Sequence, residues 1–214
     1  MKNWVKRIGQ NKFQFFFFIG VVAMLVLALV ISSALPENES PVDGTIDPTP
    51  IDPTPGEVVT PPEETIKLPF DSSMEYSVVR KFYEKDGTKE DQEKSLIKYG
   101  TSYRTSVGTS FQNKDNTSFD VLAALSGTVV EIKDSPLYGN YIVLEHNDKL
   151  KTYYYSLSEV TISVGTKVAQ GDKIGVSGNS EIDKEAGNHV YFKIVRDTNH
   201  LNPERVIGKK PSEI

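Results

Sequence analysis

The chain has 214 residues, of which 38% are hydrophobic and 25% are charged, and it contains no cysteine. The lack of cysteine excludes a disulfide framework, a cysteine-ligated zinc site and thiol catalysis. The net charge of −5 is unevenly spread: residues 1–35 carry four bases and no acid, and residues 36–66 carry eight acids and no base. The remaining residues hold 20 bases against 21 acids. This distribution argues against nucleic-acid binding and predicts three segments with separate roles.

The first segment is predicted to be a membrane anchor. Residues 13–35 contain no charged side chain, and residues 15–31 are apolar apart from one glycine. About 20 such residues span the ~30 Å hydrocarbon core as a helix. All four bases precede this run and only acids follow it closely, so we expect residues 1–12 to form a cytoplasmic tail and the chain after the anchor to be extracytoplasmic. A signal peptide cleaved near Ser32 and Ala34 is the alternative, but its apolar region normally has about 7–15 residues.

Residues 36–66 are predicted to be a disordered, acidic, proline-rich linker. Eight of the 12 prolines lie within residues 36–62, including the repeat Ile-Asp-Pro-Thr-Pro at 46–50 and 51–55. Proline fixes φ and removes the backbone donor, which favours extended polyproline II at about 3.1 Å per residue. The linker would hold a domain up to roughly 90 Å from the bilayer. A proline-rich ligand for a recognition module is the alternative, but no basic residue accompanies the prolines.

The remaining residues are predicted to form a mainly β domain. Runs rich in β-branched and aromatic residues, bounded by turn residues, indicate strands. These runs are Gly127–Ile132, Tyr141–Glu145, Lys151–Ser156 and His189–Val195, and a glycine-punctuated hairpin is predicted over Val164–Gly178. We predict one helix over Lys89–Tyr99, with Thr88 as its N-cap.

Residues 100–207 resemble the lysostaphin-like (LytM) zinc endopeptidases, which cut peptidoglycan cross-links. The resemblance is carried by four ordered elements: Gly127-Thr-Val-Val, the glycine hairpin Val164–Gly178, His189-Val-Tyr-Phe and Asn202-Pro203. It implies an antiparallel β domain of the duplicated hybrid motif type. Lipoyl- and biotin-carrying domains use a similar hairpin, but no acceptor lysine stands at a Met-Lys hairpin tip here.

The catalytic residues of that family are missing. The resemblance places the three zinc ligands at Ser106, Ser110 and Tyr191, and the two further active-site histidines at Ser156 and His189. Neither serine nor a protonated tyrosine is a usual zinc ligand, and a catalytic zinc needs three protein ligands. The resemblance therefore implies a pseudo-peptidase without metal or cofactor, in which we expect the hydroxyl groups to form hydrogen bonds with one another and with water.

Two catalytic alternatives stay open at this point. One is an active metalloendopeptidase with unusual ligands. The other is a Ser–His pair formed between His189 and one of the nearby serines, although nothing in the sequence marks an orienting acid or an oxyanion hole. The other two histidines, His146 and His200, are expected at surface or turn positions.

The full arrangement resembles the stage II sporulation protein Q family, a degenerate branch of the LytM group. The stretches Val78–Tyr83 and Glu90–Tyr103 add to this resemblance, which divides the domain into an N-terminal extension (67–99), the LytM core (100–207) and a C-terminal tail (208–214). It implies a single-pass adaptor in the forespore membrane that faces the intermembrane space. The implied partner is a stage III sporulation protein AH-like protein of the mother-cell membrane, bound in a channel or zipper that could form a ring. A regulator of cell-wall hydrolases is the alternative.

Two strands are predicted to contact this partner. The edge of an antiparallel sheet accepts a further strand unless it is blocked, and residues 138–144 and 153–155 are the candidate edges. The candidate contact residues are Tyr141, Tyr153, Tyr154 and Tyr155. Alternation places Tyr153 and Tyr155 on one face and Tyr154 on the other, so one of these faces is expected to be buried.

Overall fold

The computed structural model describes residues 63–147 and 149–214. Within these residues no helix is both long enough and apolar enough to cross a membrane. The predicted anchor at 13–35 and the linker up to residue 62 lie outside the described residues.

The described residues form strands joined by short turns and a few short helical segments. The strands are β1 (Tyr76–Arg80), β2 (Leu96–Tyr99), β3 (Ser102–Thr105), β4 (Thr109–Asn113), β5 (Asp120–Leu122), β6 (Gly127–Lys133), β7 (Asn140–Glu145), β8 (Leu150–Val160), β9 (Lys167–Val168), β10 (Lys173–Ser177), β11 (Val190–Arg196) and β12 (Asn199–Leu201). The α-helices are α1 (Lys89–Lys94) and α2 (Pro203–Val206), and 3₁₀ turns cover Lys184–Ala186 and Pro211–Glu213.

Most strands belong to one antiparallel sheet. Its main path runs β1-β4-β11-β8-β7-β6-β9, while β10 pairs with β8 and β5, and β12 pairs with β11. The strands β2 and β3 form a separate hairpin. The mainly β, antiparallel fold predicted from the sequence is confirmed. All four predicted strands are present, and β8 continues to Val160 because its second half pairs with β10.

The predicted helix is correct at its start and wrong at its end. The Thr88 side chain accepts a hydrogen bond from the Asp91 amide at 3.1 Å, as an N-cap does. The helix ends at Lys94, because the following Leu-Ile-Lys-Tyr segment pairs with β3 across a two-residue turn. Gly100, with φ +59°, provides the left-handed conformation that such a hairpin turn requires.

The two faces of the central strands have different environments. On β8, Tyr154 is fully buried, whereas Tyr153 and Tyr155 are partly exposed on the opposite face. Tyr154 packs in the core against Phe192 of β11, with ring centroids 5.2 Å apart. One buried face, predicted from the alternation, is therefore confirmed, and the second face carries the partly exposed tyrosines.

Ordered contacts begin before residue 67, in the segment predicted as linker. The Ile66 side chain is buried in the core, and its amide donates to the Lys209 carbonyl at 2.9 Å. The Glu63 carboxylate accepts two hydrogen bonds from Ser212. The end of the predicted linker and the predicted C-terminal tail thus pack together on the domain.

Candidate functional site

Three neighbouring strands bring the predicted site positions together. Tyr191 on β11 is paired with Ser110 on β4 and with Tyr155 on β8. Ser110, Ser156, His189 and Tyr191 line a cavity of about 320 Å³. The fifth position, Ser106, joins the group through a 3.3 Å contact between its Oγ and the Tyr191 hydroxyl. Five positions spread over 85 residues of sequence therefore form one cluster.

The Tyr191 hydroxyl is held by the loop that precedes β4. It accepts a hydrogen bond from the Val107 amide at 3.1 Å, and the neighbouring Ser106 hydroxyl donates to the Gly108 carbonyl at 2.8 Å. A Cβ atom on Gly108 would lie 2.9 Å from the Tyr191 ring, so glycine permits this close packing. Burial raises the pKa of Tyr191, which keeps the phenol protonated at neutral pH.

The Ser110 hydroxyl takes no part in the hydrogen bonds among the hydroxyls of the cluster. Its residue is fully buried, yet its Oγ has no hydrogen-bond partner among the described residues. The Ser180 hydroxyl, which also lines the cavity, is likewise without a partner in that part of the chain. Two serines of the cavity wall thus have buried hydroxyl groups without a partner among the described residues.

His189 forms hydrogen bonds at both ring nitrogens. Its Nδ1 lies 2.8 Å from the Gly187 carbonyl oxygen, which accepts only from a protonated nitrogen. The neutral ring therefore has an unprotonated Nε2, which accepts from the Ser156 hydroxyl at 2.9 Å. Burial lowers the pKa of His189, so the ring is neutral at pH 7.

The residues of the cluster do not fit a catalytic zinc. Two alcohols and a protonated phenol occupy the assigned ligand positions, and the only imidazole is bonded to Ser156. The carboxylate in the cavity wall, Asp183, receives two hydrogen bonds from Arg80 at 2.9 and 2.6 Å. Across residues 63–147 and 149–214 no group of three or more metal-ligating side chains is found. Metal-assisted hydrolysis has no ligand set here.

The pair Arg80–Asp183 is a site feature that sequence reasoning missed. Both residues are buried, and the Arg80 guanidinium also donates to the Leu96 carbonyl. The Arg80 side chain thereby joins β1, the start of β2 and the loop that leads to His189. The partners are 103 residues apart, and no local pattern relates them.

The tyrosines of the exposed face extend the cavity wall. Tyr155 lies within 6 Å, between ring centroids, of Tyr138, Tyr141 and Tyr191, and 6.1 Å from Tyr153. The Lys193 ammonium lies 3.9 Å from the centroid of the Tyr153 ring, in a cation–π contact. No carboxylate of the described residues pairs with Lys193. We call the five tyrosines and Lys193 the tyrosine face.

The prediction that residues 138–144 and 153–155 form edge strands is wrong. Both β7 and β8 have a neighbour on each side, so neither offers an open edge to a partner strand. Tyr154 is fully buried and unable to contact a partner, and its hydroxyl accepts from the Ala124 amide at 2.9 Å. Contact through the side chains of Tyr141, Tyr153 and Tyr155 stays a prediction.

The two histidines outside the site have different environments. His200 is exposed, as predicted, but lies on β12. His146 is half-buried and hydrogen-bonded at both nitrogens, 2.8 Å from the Ser126 carbonyl oxygen and 2.8 Å from Thr152 Oγ1. His146 lies in the turn between β7 and β8, as predicted, and its hydrogen bonds link the start of β6 to β8.

Comparison with known proteins places these features in a family. The model of peptidase family M23 matches residues 104–203. Stage II sporulation protein Q of Bacillus subtilis is 42% identical over 151 residues, 71% of this chain and 53% of that protein, so the match spans about half the length of this relative. Peptidoglycan DD-endopeptidase ShyA of Vibrio cholerae is 30% identical over 96 residues, 45% of this chain and 20% of that protein.

Solved structures agree with the fold. A zinc-containing peptidase from Vibrio cholerae, 23% identical, matches with a TM-score of 0.51 over 65% of this chain and 39% of its own, which supports the fold alone. A chain of the SpoIIQ–SpoIIIAH pore-forming complex matches with a TM-score of 0.69 and 42% identity, over 71% of this chain and 96% of its own. The chain therefore belongs to the stage II sporulation protein Q family, within the M23 peptidase fold.

Proposed function

We propose that the chain is a sporulation adaptor that binds a SpoIIIAH-like protein of the mother-cell membrane. The observation that carries this proposal is the match to a solved SpoIIQ–SpoIIIAH complex at 42% identity, which covers 96% of the matched chain. A second solved SpoIIIAH–SpoIIQ complex matches over 66% of this chain and 99% of its own. The matched chain of each complex is similar in sequence and fold to the domain that this structure describes.

The site chemistry supports an adaptor rather than a peptidase. M23-type hydrolysis needs a metal-bound water, and Ser106, Ser110 and Tyr191 offer no ligand set for the metal. The Arg80–Asp183 pair and the Tyr191 phenol stabilise the cavity wall without a cation. The domain keeps the shape of the peptidase and uses it for binding.

The charge pattern of the sequence gives the adaptor its topology. Four bases before residue 13 and eight acids between residues 36 and 66 favour a cytoplasmic N-terminus and an extracytoplasmic domain. In the forespore membrane, this orientation directs the domain toward the mother-cell membrane. Repeated copies of such a pair would form the proposed channel or zipper, with a ring as its closed form.

The tyrosine face is the proposed contact surface for the partner. Tyrosine is enriched at the centres of protein interfaces, because it buries a large apolar area and keeps a polar hydroxyl. Lys193 adds a positive charge that lacks an acidic partner in the described part of the chain. The charge favours a partner surface that carries an acid opposite Lys193.

Binding of the full chain, purified in detergent, to the extracytoplasmic domain of a SpoIIIAH-like protein tests this proposal. Tyr153→Ala is expected to weaken Kd by about 30-fold, the loss of about 2 kcal/mol at a hot spot. Tyr103→Ala is the matched control, because Tyr103 is 61% exposed on the separate β2–β3 hairpin. Absence of binding by the parent chain would refute the adaptor. Capture of a cell-wall amidase in its place would support the hydrolase regulator.

A further inference from the structure

Ser156 and His189 have the geometry of a nucleophile and its general base. The Ser156 hydroxyl donates to the His189 Nε2 at 2.9 Å, and the Gly187 carbonyl holds the opposite nitrogen protonated at 2.8 Å. In serine hydrolases a third group likewise holds one imidazole nitrogen protonated, so that the lone pair of the other nitrogen faces the serine. Here a backbone carbonyl does this without an acid.

The backbone at Ser156 is strained. Its φ of +65° lies in the left-handed region, which a residue with a Cβ rarely adopts. Two glycines make room for this conformation: a Cβ on Gly139 would lie 3.2 Å from the Ser156 Cα, and one on Gly178 would lie 3.1 Å from the Ser156 carbonyl oxygen. Such strain costs of order 1–3 kcal/mol and concentrates at functional sites.

The strained serine borders a space that a small molecule can occupy. Ser156 and His189 both line the cavity of about 320 Å³, together with Tyr138, Tyr141 and Tyr155. A cavity of this size and lining fits a ligand with an apolar or aromatic body. Both members of the pair are about 1% exposed, and the cavity is the space that they border.

Two further serines belong to the same wall. Ser110 and Ser180 line the cavity, and their buried Oγ atoms have no hydrogen-bond partner in the described residues. Buried polar groups without a partner are uncommon, because each costs about 1–3 kcal/mol. With its side chain turned toward the cavity, either hydroxyl can donate to the oxyanion that forms when the serine attacks a carbonyl.

We propose that Ser156 and His189 form a nucleophile–base pair that gives this cavity acyl-transfer activity toward small aromatic or apolar esters. Ser156 Oγ attacks the carbonyl carbon while His189 Nε2 takes its proton. The C–O bond to the leaving alcohol breaks as Nε2 returns this proton to the alcohol, which leaves an acyl ester on Ser156. Water then attacks that ester with His189 as base, and release of the acid restores Ser156. No redox change occurs, and water is the only co-reactant.

This reactivity goes beyond the adaptor function and does not depend on it. Of the proposed partner contacts, Tyr153 is absent from the cavity lining, whereas Tyr141, Tyr155 and Lys193 belong both to the lining and to the tyrosine face. Burial lowers the pKa of His189, so the base is available at neutral pH and is lost by protonation only as the pH falls below its ordinary value of 6.5.

A fluorophosphonate carrying an aromatic group is the first probe, used on the full chain in detergent with the labelled residue located by peptide mass spectrometry. We expect one labelled site at Ser156 and no label in Ser156→Ala. His189→Ala is expected to slow labelling by about 100-fold or more, the usual contribution of a general base. Added imidazole should restore part of the rate in His189→Ala, which a structural role of the ring would not produce.

Hydrolysis of p-nitrophenyl acetate and two further variants complete the test. Ser158→Ala is the matched control, because Ser158 is exposed, two residues along β8, and absent from the cavity lining. It should retain full labelling, whereas Ser110→Ala should slow ester hydrolysis and leave the thermal melt within a few degrees. Labelling of the parent at the same rate as Ser156→Ala, with both folded by circular dichroism, would overturn the proposal. So would labelling that His189→Ala leaves unchanged.

Discussion

Removal of one partner of the Arg80–Asp183 pair is the sharpest test of how the cavity is stabilised. Both side chains are less than 10% exposed, and two hydrogen bonds of 2.6 and 2.9 Å join them. Arg80→Met would leave the Asp183 carboxylate buried without a counter-charge. Loss of one partner of a buried pair costs about 3–5 kcal/mol.

The structure explains why this loss would not remain local. Arg80 also donates to the Leu96 carbonyl, and Asp183 lies in the loop that leads to His189. The free energy of unfolding should fall by about 3–5 kcal/mol, which for a domain of this size lowers Tm by roughly 6–20 °C. Because the described residues contain no tryptophan, the melt is best followed by the circular dichroism of the backbone and of the tyrosines.

Two matched variants make the result specific. Lys114→Met breaks the exposed Lys114–Glu75 pair and should leave the melting temperature almost unchanged, because water screens this pair. The double change Arg80→Met and Asp183→Leu removes both charges and should recover most of the stability lost by the single change. A loss of under about 1 kcal/mol for Arg80→Met alone would show that the pair contributes little to stability.

Three further predictions concern the metal, the pH dependence and the anchor. The purified chain should contain no stoichiometric zinc by elemental analysis and should melt at the same temperature with and without chelator; about one zinc per chain would contradict the reasoning on Ser106, Ser110 and Tyr191. Burial lowers the pKa of His189 and His146, so the unfolded chain takes up protons before the folded chain as the pH falls below 6.5. The free energy of unfolding should therefore decrease between pH 7 and 5, by up to about 1.4 kcal/mol per pH unit for each ring. His189→Gln should reduce this slope. When the chain is expressed in non-sporulating cells, a protease added to protoplasts should remove the domain and leave residues 1–12 protected, and a mature N-terminus near Leu35 would show cleavage instead.

Features set by neighbouring residues were predictable from the sequence. The strands that became β6, β7, β8 and β11 follow from local runs of β-branched and aromatic residues, and Thr88 is recognisable as a cap from its place before Lys89. Even the division of the tyrosines on β8 into a buried and an exposed set follows from the two-residue period of a strand.

Features set by strand order were not predictable in this way. The residue pattern of β7 and β8 suits a strand at the edge of a sheet as well as one in the middle, so it did not reveal that both strands have two neighbours. The helix was extended to Tyr99 because Leu96 and Ile97 also suit a helical face, and only their pairing with β3 decides for a strand. Arg80 and Asp183 meet across 103 residues, a separation that no local pattern reports.

The unpartnered Ser110 hydroxyl bears on whether the cavity has a binding role. If only the loss of zinc had shaped this position, an alanine would remove a donor and an acceptor that nothing satisfies, at a gain of about 1–3 kcal/mol. Tyr191, by contrast, is fully accommodated by the Val107 amide and by the close approach of Gly108. The position that the family resemblance assigns to one zinc ligand thus holds a bonded phenol, whereas the Ser110 hydroxyl has no partner in the described residues. Ser110→Ala should therefore stabilise the fold while it weakens whatever the cavity binds, the opposite of what a structural hydroxyl would show.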